Sequence, residues 1–236
     1  MIKTTINQEL FTPRIKIMDT NSILDLDLAG IRWELNEFPN VLAKKSTADS
    51  PEIKSVSPSP LLPINTDAIR KSIGKIKTLD ELNAVISELN HPLKMFSKNT
   101  IIPRGTGRVL VLTDAPTTED DANGFLFSGI GGELFDKMIG AIELSRDNVA
   151  LASVVFWRPP GGRAPTDLEI VQCRPFLDKF IEITKPEFLL TFGDVSAGYE
   201  FSGEKFSVPS VQTLIQNPSL KKDAWEILQK LLKKLK

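Results

Sequence analysis

RVLVLT (108–113), VALASVVF (149–156) and EFLLTF (187–192) decide the fold. Each is a continuous apolar run too short for an ordinary helix, and unbroken apolar runs of this length suit strands covered on both faces, as in parallel sheets. Between the first two, GGELFDKMIGAIELS places Leu134, Met138, Ile139 and Ile142 on one helical face. Between the next two, Thr166 and Glu169 form a T-x-x-E capping box ahead of LEIVQCRPFLDKFIEIT. The order strand, helix, strand, helix, strand implies right-handed crossovers. SVPSVQ (207–212) reads as a weaker fourth strand, and LKKDAWEILQKLLKKLK (220–236) as a terminal helix. The expectation is an α/β protein: a three-layer α/β/α sandwich around a four-stranded parallel sheet.

Outward from this body, NSILDLDLAGIRWELNEFPNVLA (21–43) carries Leu24, Leu28, Ile31 and Leu35 at helical spacing. Residues 1–43 are therefore expected to form a helical extension, and the Ser/Pro-rich stretch 44–62 a flexible linker. The main domain is assigned to 63–236, opening with TDAIRKSIGKI and a second capping box, Thr78 and Glu81, before LNAVISELN.

The 236 residues include 29 basic and 30 acidic side chains, a net charge of -1, so nucleic-acid binding requires a local patch rather than a global field. Residues 220–236 hold six lysines against Asp223 and Glu226, a net of +4, suited to a solvated helix face or to phosphates. The single cysteine, Cys173, excludes an intramolecular disulfide and an all-cysteine metal site within one chain, and points to a reducing compartment. The lone histidine, His91, leaves little room for a multi-histidine metal site or a catalytic triad. No secretory pattern opens the chain and no long apolar span occurs, so a cytoplasmic protein without a membrane segment is expected.

In open α/β sheets, sites form beyond the carboxyl ends of the strands, here after Thr113, Phe156, Phe192 and Gln212. The loop TDAPTTEDDANGFLFSGIGGEL is the richest. Its glycines lack a P-loop lysine and the dinucleotide spacing. Glu119, Asp120 and Asp121 read as a solvated turn rather than a Mg²⁺ site. WRPPGGRAPTDLE is either a rigid element that presents Arg158 and Arg163 to phosphates or a tight crossover turn.

In order, these motifs resemble the uracil-DNA glycosylase superfamily over about 92–236, closest to its family 4. TDAPTTEDDANGFLFSGIGGEL is similar to that family's GEAPGxxED…GxPFxGxxGxLL, SVVFWRPPGGRAPT to NVVKCRPPGNRTPT, CRPFL to ACRPYLE, and NPSLKKDAWEIL to NPxxKRxxWEDL. The resemblance implies a monomeric base-excision hydrolase that flips uracil, or a related damaged base, out of DNA and cleaves its N-glycosidic bond. A non-catalytic DNA-binding or interaction protein on the same fold is the alternative.

By the same resemblance, Phe127 stacks on the base, Ala115 lines its pocket, and Asp114 stands for the glutamate near the water and sugar. Ser153 falls at the uracil-reading asparagine. Ser210 falls at the histidine that stabilises charge on uracil O2, or Val208 does if Pro209 is the matched proline. DNA contacts are implied for Arg158, Arg163, Asn217 and Ser219. Family 4 usually carries a 4Fe–4S cluster. Here only Cys173 remains, the CRPP cysteine is Trp157, and His91 sits in a segment resembling a cysteine-bearing CPLxxT. The expectation is no cofactor and no metal, with Trp157 filling the cluster's volume and His91 structural or solvated, away from the reacting groups.

Overall fold

Strands form where both faces of the backbone find apolar cover, and the computed structural model shows this for the first and third runs. It describes residues 73–236. The extension (1–43), the linker (44–62) and most of the helix expected at 66–76 lie outside these residues.

The described elements, in chain order, are α1 (Leu79–Glu88), β1 (Val109–Thr113), α2 (Thr118–Asn123), α3 (Gly129–Gly140), β2 (Ala150–Ser153), α4 (Asp167–Thr184), β3 (Phe188–Phe192), α5 (Asp194–Ala197), β4 (Glu204–Val208), α6 (Val211–Gln216) and α7 (Lys221–Leu235). Short 3-10 turns cover Pro92–Phe96, Pro160–Gly162 and Pro218–Leu220. The strands pair in parallel in the order β2-β1-β3-β4. Since β2 and β3 flank β1 on opposite sides, the winding reverses between β1 and β3, and the crevice outside their carboxyl ends is the natural site.

Two cores sandwich the sheet. On one face Leu110, Leu112, Ala152 and Leu189 pack with Leu82 and Ile86 of α1 and Cys173, Phe176 and Phe180 of α4. On the other, Val109, Val111, Leu190 and Phe206 pack with Phe135 and Ile139 of α3, Leu214 of α6 and Leu228 of α7. The three-layer architecture is thus as the sequence implies. Both expected capping boxes form, at Thr78 with Glu81 and at Thr166 with Glu169.

Two strand assignments are corrected. β2 ends at Ser153, and Val154–Trp157, although buried, is a loop. The fourth strand is EKFSV rather than SVPSVQ, because Ser210 caps α6 by accepting from Thr213 N at 3.1 Å and Val211 already belongs to that helix. On the face of α3 toward the sheet, Phe135 and Ile139 are fully buried, whereas Leu134 and Met138 are only partly so.

The two flanks of the sheet differ. Residues 101–104 pass antiparallel to the β2 segment and touch it at one bridge, with Arg104 N donating to Leu151 O (2.9 Å) and Leu151 N to Arg104 O (2.8 Å), while Ile101 N donates to Phe156 O beyond the strand (2.8 Å). At the far flank β4 exposes Glu204 and Lys205; Glu204 pairs with Lys234 at 3.1 Å.

Candidate active site at the carboxyl ends of the strands

β1 delivers Asp114 to the point where the winding reverses. Its Oδ1 accepts the Ser196 N–H at 2.7 Å, so the carboxylate after β1 caps the short helix that follows β3. Asp114 Oδ2 has no hydrogen-bond partner among the described residues. Gly193 makes this approach possible: its φ of +129° is open to glycine alone, and a Cβ there would collide with the Asp114 carboxylate. Ala115 is half-buried against the α1/α4 core.

Phe127 lies in a narrow crevice shared with Thr113, Thr117, Gly131, Val211 and Gln212. Its ring stacks on Phe135 (3.8 Å between centroids, 6°) and meets Phe192 edge-on (5.6 Å, 69°). The residue is 7% exposed, and its backbone is left-handed at φ +55°, unusual for an aromatic residue.

Of the acidic run expected as a solvated turn, Glu119 is exposed, but the run is the first turn of α2 and Asp120 and Asp121 are buried, because short carboxylates at a helix start satisfy neighbouring amides. Asp120 Oδ2 accepts Thr117 N (2.9 Å), while Oδ1 accepts Ser128 N (2.8 Å) and the Ser128 hydroxyl (3.1 Å). Asp121 Oδ1 accepts the amides of Lys98 (2.8 Å) and Asn99 (2.9 Å).

The two serines are both engaged. Ser153 is buried at the end of β2 and donates to Val155 O at 2.7 Å. Ser210 Oγ serves as the α6 cap and lies 2.8 Å from Thr213 Oγ1. The fallback position, Val208, is buried in the sheet.

Pro160–Gly162 is a 3-10 turn whose flanking arginines are anchored inward. Arg158 Nη2 donates to Phe96 O (3.2 Å) and its Nε lies 3.5 Å from Asp121. Arg163 makes a two-pronged pair with buried Glu169, at 2.6 and 2.8 Å. Burial opposes ionisation of Glu169, but bonds from Arg163 and the Thr166 amide outweigh it and hold the carboxyl below its ordinary range. Arg163 nonetheless remains 40% exposed at its side chain, and Arg158 is held closer in, at 22%. Asn217 and Ser219 are exposed at the end of α6, where Asn217 Nδ2 donates to Thr213 O at 3.3 Å.

Three residues of this region escaped the sequence reading: Asp120 as a loop organiser, Gln212 as a crevice wall, and Arg146, whose guanidinium meets the Leu126 and Phe127 carbonyls. Gln212 was hidden by reading SVPSVQ as a strand. Arg146 lies in a polar turn with no sequence signal of its own.

On the opposite face, His91 is buried rather than solvated. It stacks on fully buried Trp157 (4.8 Å, 8°), and the indole Nε1 donates to Thr100 Oγ1 at 2.9 Å. Burial lowers the His91 pKa, with Gln172 and Glu169 opposing. His91 Nε2 and both amide atoms of Gln172 are buried without partners. A 4Fe–4S cluster needs four thiolates. The sole cysteine, Cys173, has its thiol pushed up to about 12 by burial, so these residues do not fit that group. Among the described residues no cluster of three or more His, Cys, Asp or Glu side chains has metal-binding geometry.

A doubly wound parallel sheet with an aromatic crevice and a carboxylate at its switch point defines a class of α/β proteins whose ligand site lies at the carboxyl ends of the strands. The model of the uracil DNA glycosylase superfamily matches residues 101–232, more than half of the chain, and the chain belongs to that superfamily. Similar proteins include the type-4 uracil-DNA glycosylases of Sulfurisphaera tokodaii (37% identical, covering 58% of this chain and 62% of the relative) and Saccharolobus solfataricus (30% identical, 56% and 65%). That of Thermotoga maritima is 29% identical over 57% of this chain and 74% of its own length. The chain thus spans a little under two thirds of the first two relatives.

Proposed function

We propose that this protein is a monofunctional DNA glycosylase that hydrolyses the N-glycosidic bond of uracil, or a related damaged base, flipped out of DNA. The observation that carries the reading is the Phe127 ring in its crevice, with the Asp114 carboxylate one residue beyond Thr113 of the crevice wall. A flipped base loses its stacking partners, at a cost of a few kcal/mol, and a flat apolar ring restores part of that contact.

Asp114 is suited to the sugar side of the reaction. Fixed through Oδ1, it keeps Oδ2 for a water or for the positive charge that grows on the sugar as the bond to the base lengthens. Water adds to the anomeric carbon, the electron pair of the broken bond leaves with the base, and the base acquires a proton. Ser153 and Ser210 stand at the two base-recognition positions, where each hydroxyl must turn from its present partner, Val155 O and Thr213 respectively, to donate to a carbonyl oxygen of the base, and Asn217 and Ser219 form an exposed lip for the phosphate backbone. The protein acts as a monomer and without an iron–sulfur cluster, the stacked His91–Trp157 pair taking up the cluster's space.

The test is single-turnover excision from labelled single- and double-stranded oligonucleotides carrying uracil, hypoxanthine or xanthine, beside Asp114→Ala and Phe127→Ala. Release that both variants lose while remaining folded supports the assignment. A folded wild-type protein that releases no base from any substrate overturns it.

A further inference from the structure

The peptide joining Phe127 to Ser128 is gripped at both ends. Its carbonyl accepts Arg146 Nη2–H at 2.5 Å, and its N–H donates to Asp120 Oδ1 at 2.8 Å. Arg146 also donates Nη1–H to Leu126 O (2.9 Å), and its Nε pairs with Asp136 at 2.6 Å. The guanidinium lies 5.3 Å from the centre of Phe135, the ring on which Phe127 stacks. The turn has no slack on its far side, because a Cβ at Gly132 would collide with Phe127 O and come within 3.2 Å of Arg146 Nη2.

A residue at φ +55° relaxes toward negative φ unless its surroundings hold it, and relaxation would swing the Phe127 ring out of line with the crevice. We propose that Arg146, oriented by Asp136 and opposed by Asp120 across the 127–128 peptide, is the positioning residue that fixes Phe127 for stacking on the flipped base. The proposal rests on the reading of Phe127 as the base-stacking residue. Lysine cannot replace this arginine, since one ammonium cannot serve two adjacent carbonyls and a carboxylate with the geometry of a planar fork.

The test is Arg146→Lys, with Asp136→Asn as its weaker counterpart, in the full chain. Three readouts are taken: the single-turnover excision rate, affinity for an oligonucleotide carrying an abasic site, and the ¹⁹F signal of 4-fluorophenylalanine placed at position 127. The urea midpoint is measured to confirm folding. Arg146→Lys is expected to slow excision on the order of 10²-fold, as misplacement of about 1 Å does. It should leave abasic-site affinity within about twofold, since no base is stacked there, and shift or broaden the ¹⁹F signal.

Excision and ¹⁹F signals matching wild type overturn the proposal while leaving the glycosylase reading intact. If wild type excises nothing, the glycosylase reading fails. The proposal then falls with it whatever the ¹⁹F signal shows, since there is no flipped base for Phe127 to stack on.

Discussion

Trp157 gives the most demanding test of the proposal that this face holds without a cluster. Its side chain is fully buried, stacked on His91, edge-on to Phe156 (5.9 Å, 76°) and hydrogen-bonded to Thr100. Truncating a fully buried large aromatic costs about 3–5 kcal/mol in lost transfer energy and residual cavity. The upper end applies here, because the indole is fully enclosed and its loss takes the stacking partner from His91 and the donor from Thr100 Oγ1. Trp157→Ala should therefore lose about 5 kcal/mol, a large part of the roughly 5–15 kcal/mol available to such a domain. Trp157→Phe keeps a ring but loses the indole donor and some volume, for about 1–2 kcal/mol. With a urea m-value of about 2 kcal/mol/M, the midpoints should fall by about 2.5 M and about 0.5–1 M. The assay is urea unfolding followed by circular dichroism, with and without a strong iron chelator. A loss below about 2 kcal/mol for Trp157→Ala, or a wild-type midpoint that drops with chelator, would refute the reasoning.

Other expectations concern pH and the carboxylates. His91 is held neutral by burial, so the unfolded chain takes up a proton near pH 6.5 that the folded protein refuses; stability should fall as pH drops through 6.5, and His91→Gln should flatten that slope in pH-dependent melting curves. Gly193→Ala should cost about 1–3 kcal/mol by urea titration and reduce excision as well, because it strains the backbone and pushes on Asp114; unchanged excision would argue against Asp114 in the reaction. Glu169→Gln breaks a charged pair that also caps α4, and about 1.5–3 kcal/mol should be lost on unfolding by denaturant.

Much of the fold was legible because β1 and β3 are covered on both faces and so appear as unbroken apolar runs. β4 escaped because it is a flanking strand: only Phe206 and Val208 are buried, while Glu204 and Lys205 face water. The apolar run of β2 overshot the strand because Val154–Trp157 fills the core as a loop, and burial leaves the same mark on a sequence whether or not the backbone is paired. Asp114 and Phe127 were picked out by their match to a known family's motifs, in the loop that the strand pattern marks as the richest. Arg146 and Asp120 did not, since their role is to meet backbone atoms, and backbone atoms leave no trace in residue identity. The meeting of His91 with Trp157 joins segments far apart in the chain, which local periodicity does not encode.

The antiparallel strap of residues 101–104 bears on how the sheet edges are guarded. A four-stranded sheet has two outer ladders, each able to recruit a strand from another molecule. The strap covers the middle of β2 by bonding both backbone groups of Leu151 from within the chain, and the charges of Glu204 and Lys205 discourage pairing along β4. Intermolecular β-pairing therefore begins with release of the strap. Aggregation on heating should then track local detachment of residues 101–104, visible as early loss of protection at the Leu151 amide in hydrogen exchange, ahead of global unfolding.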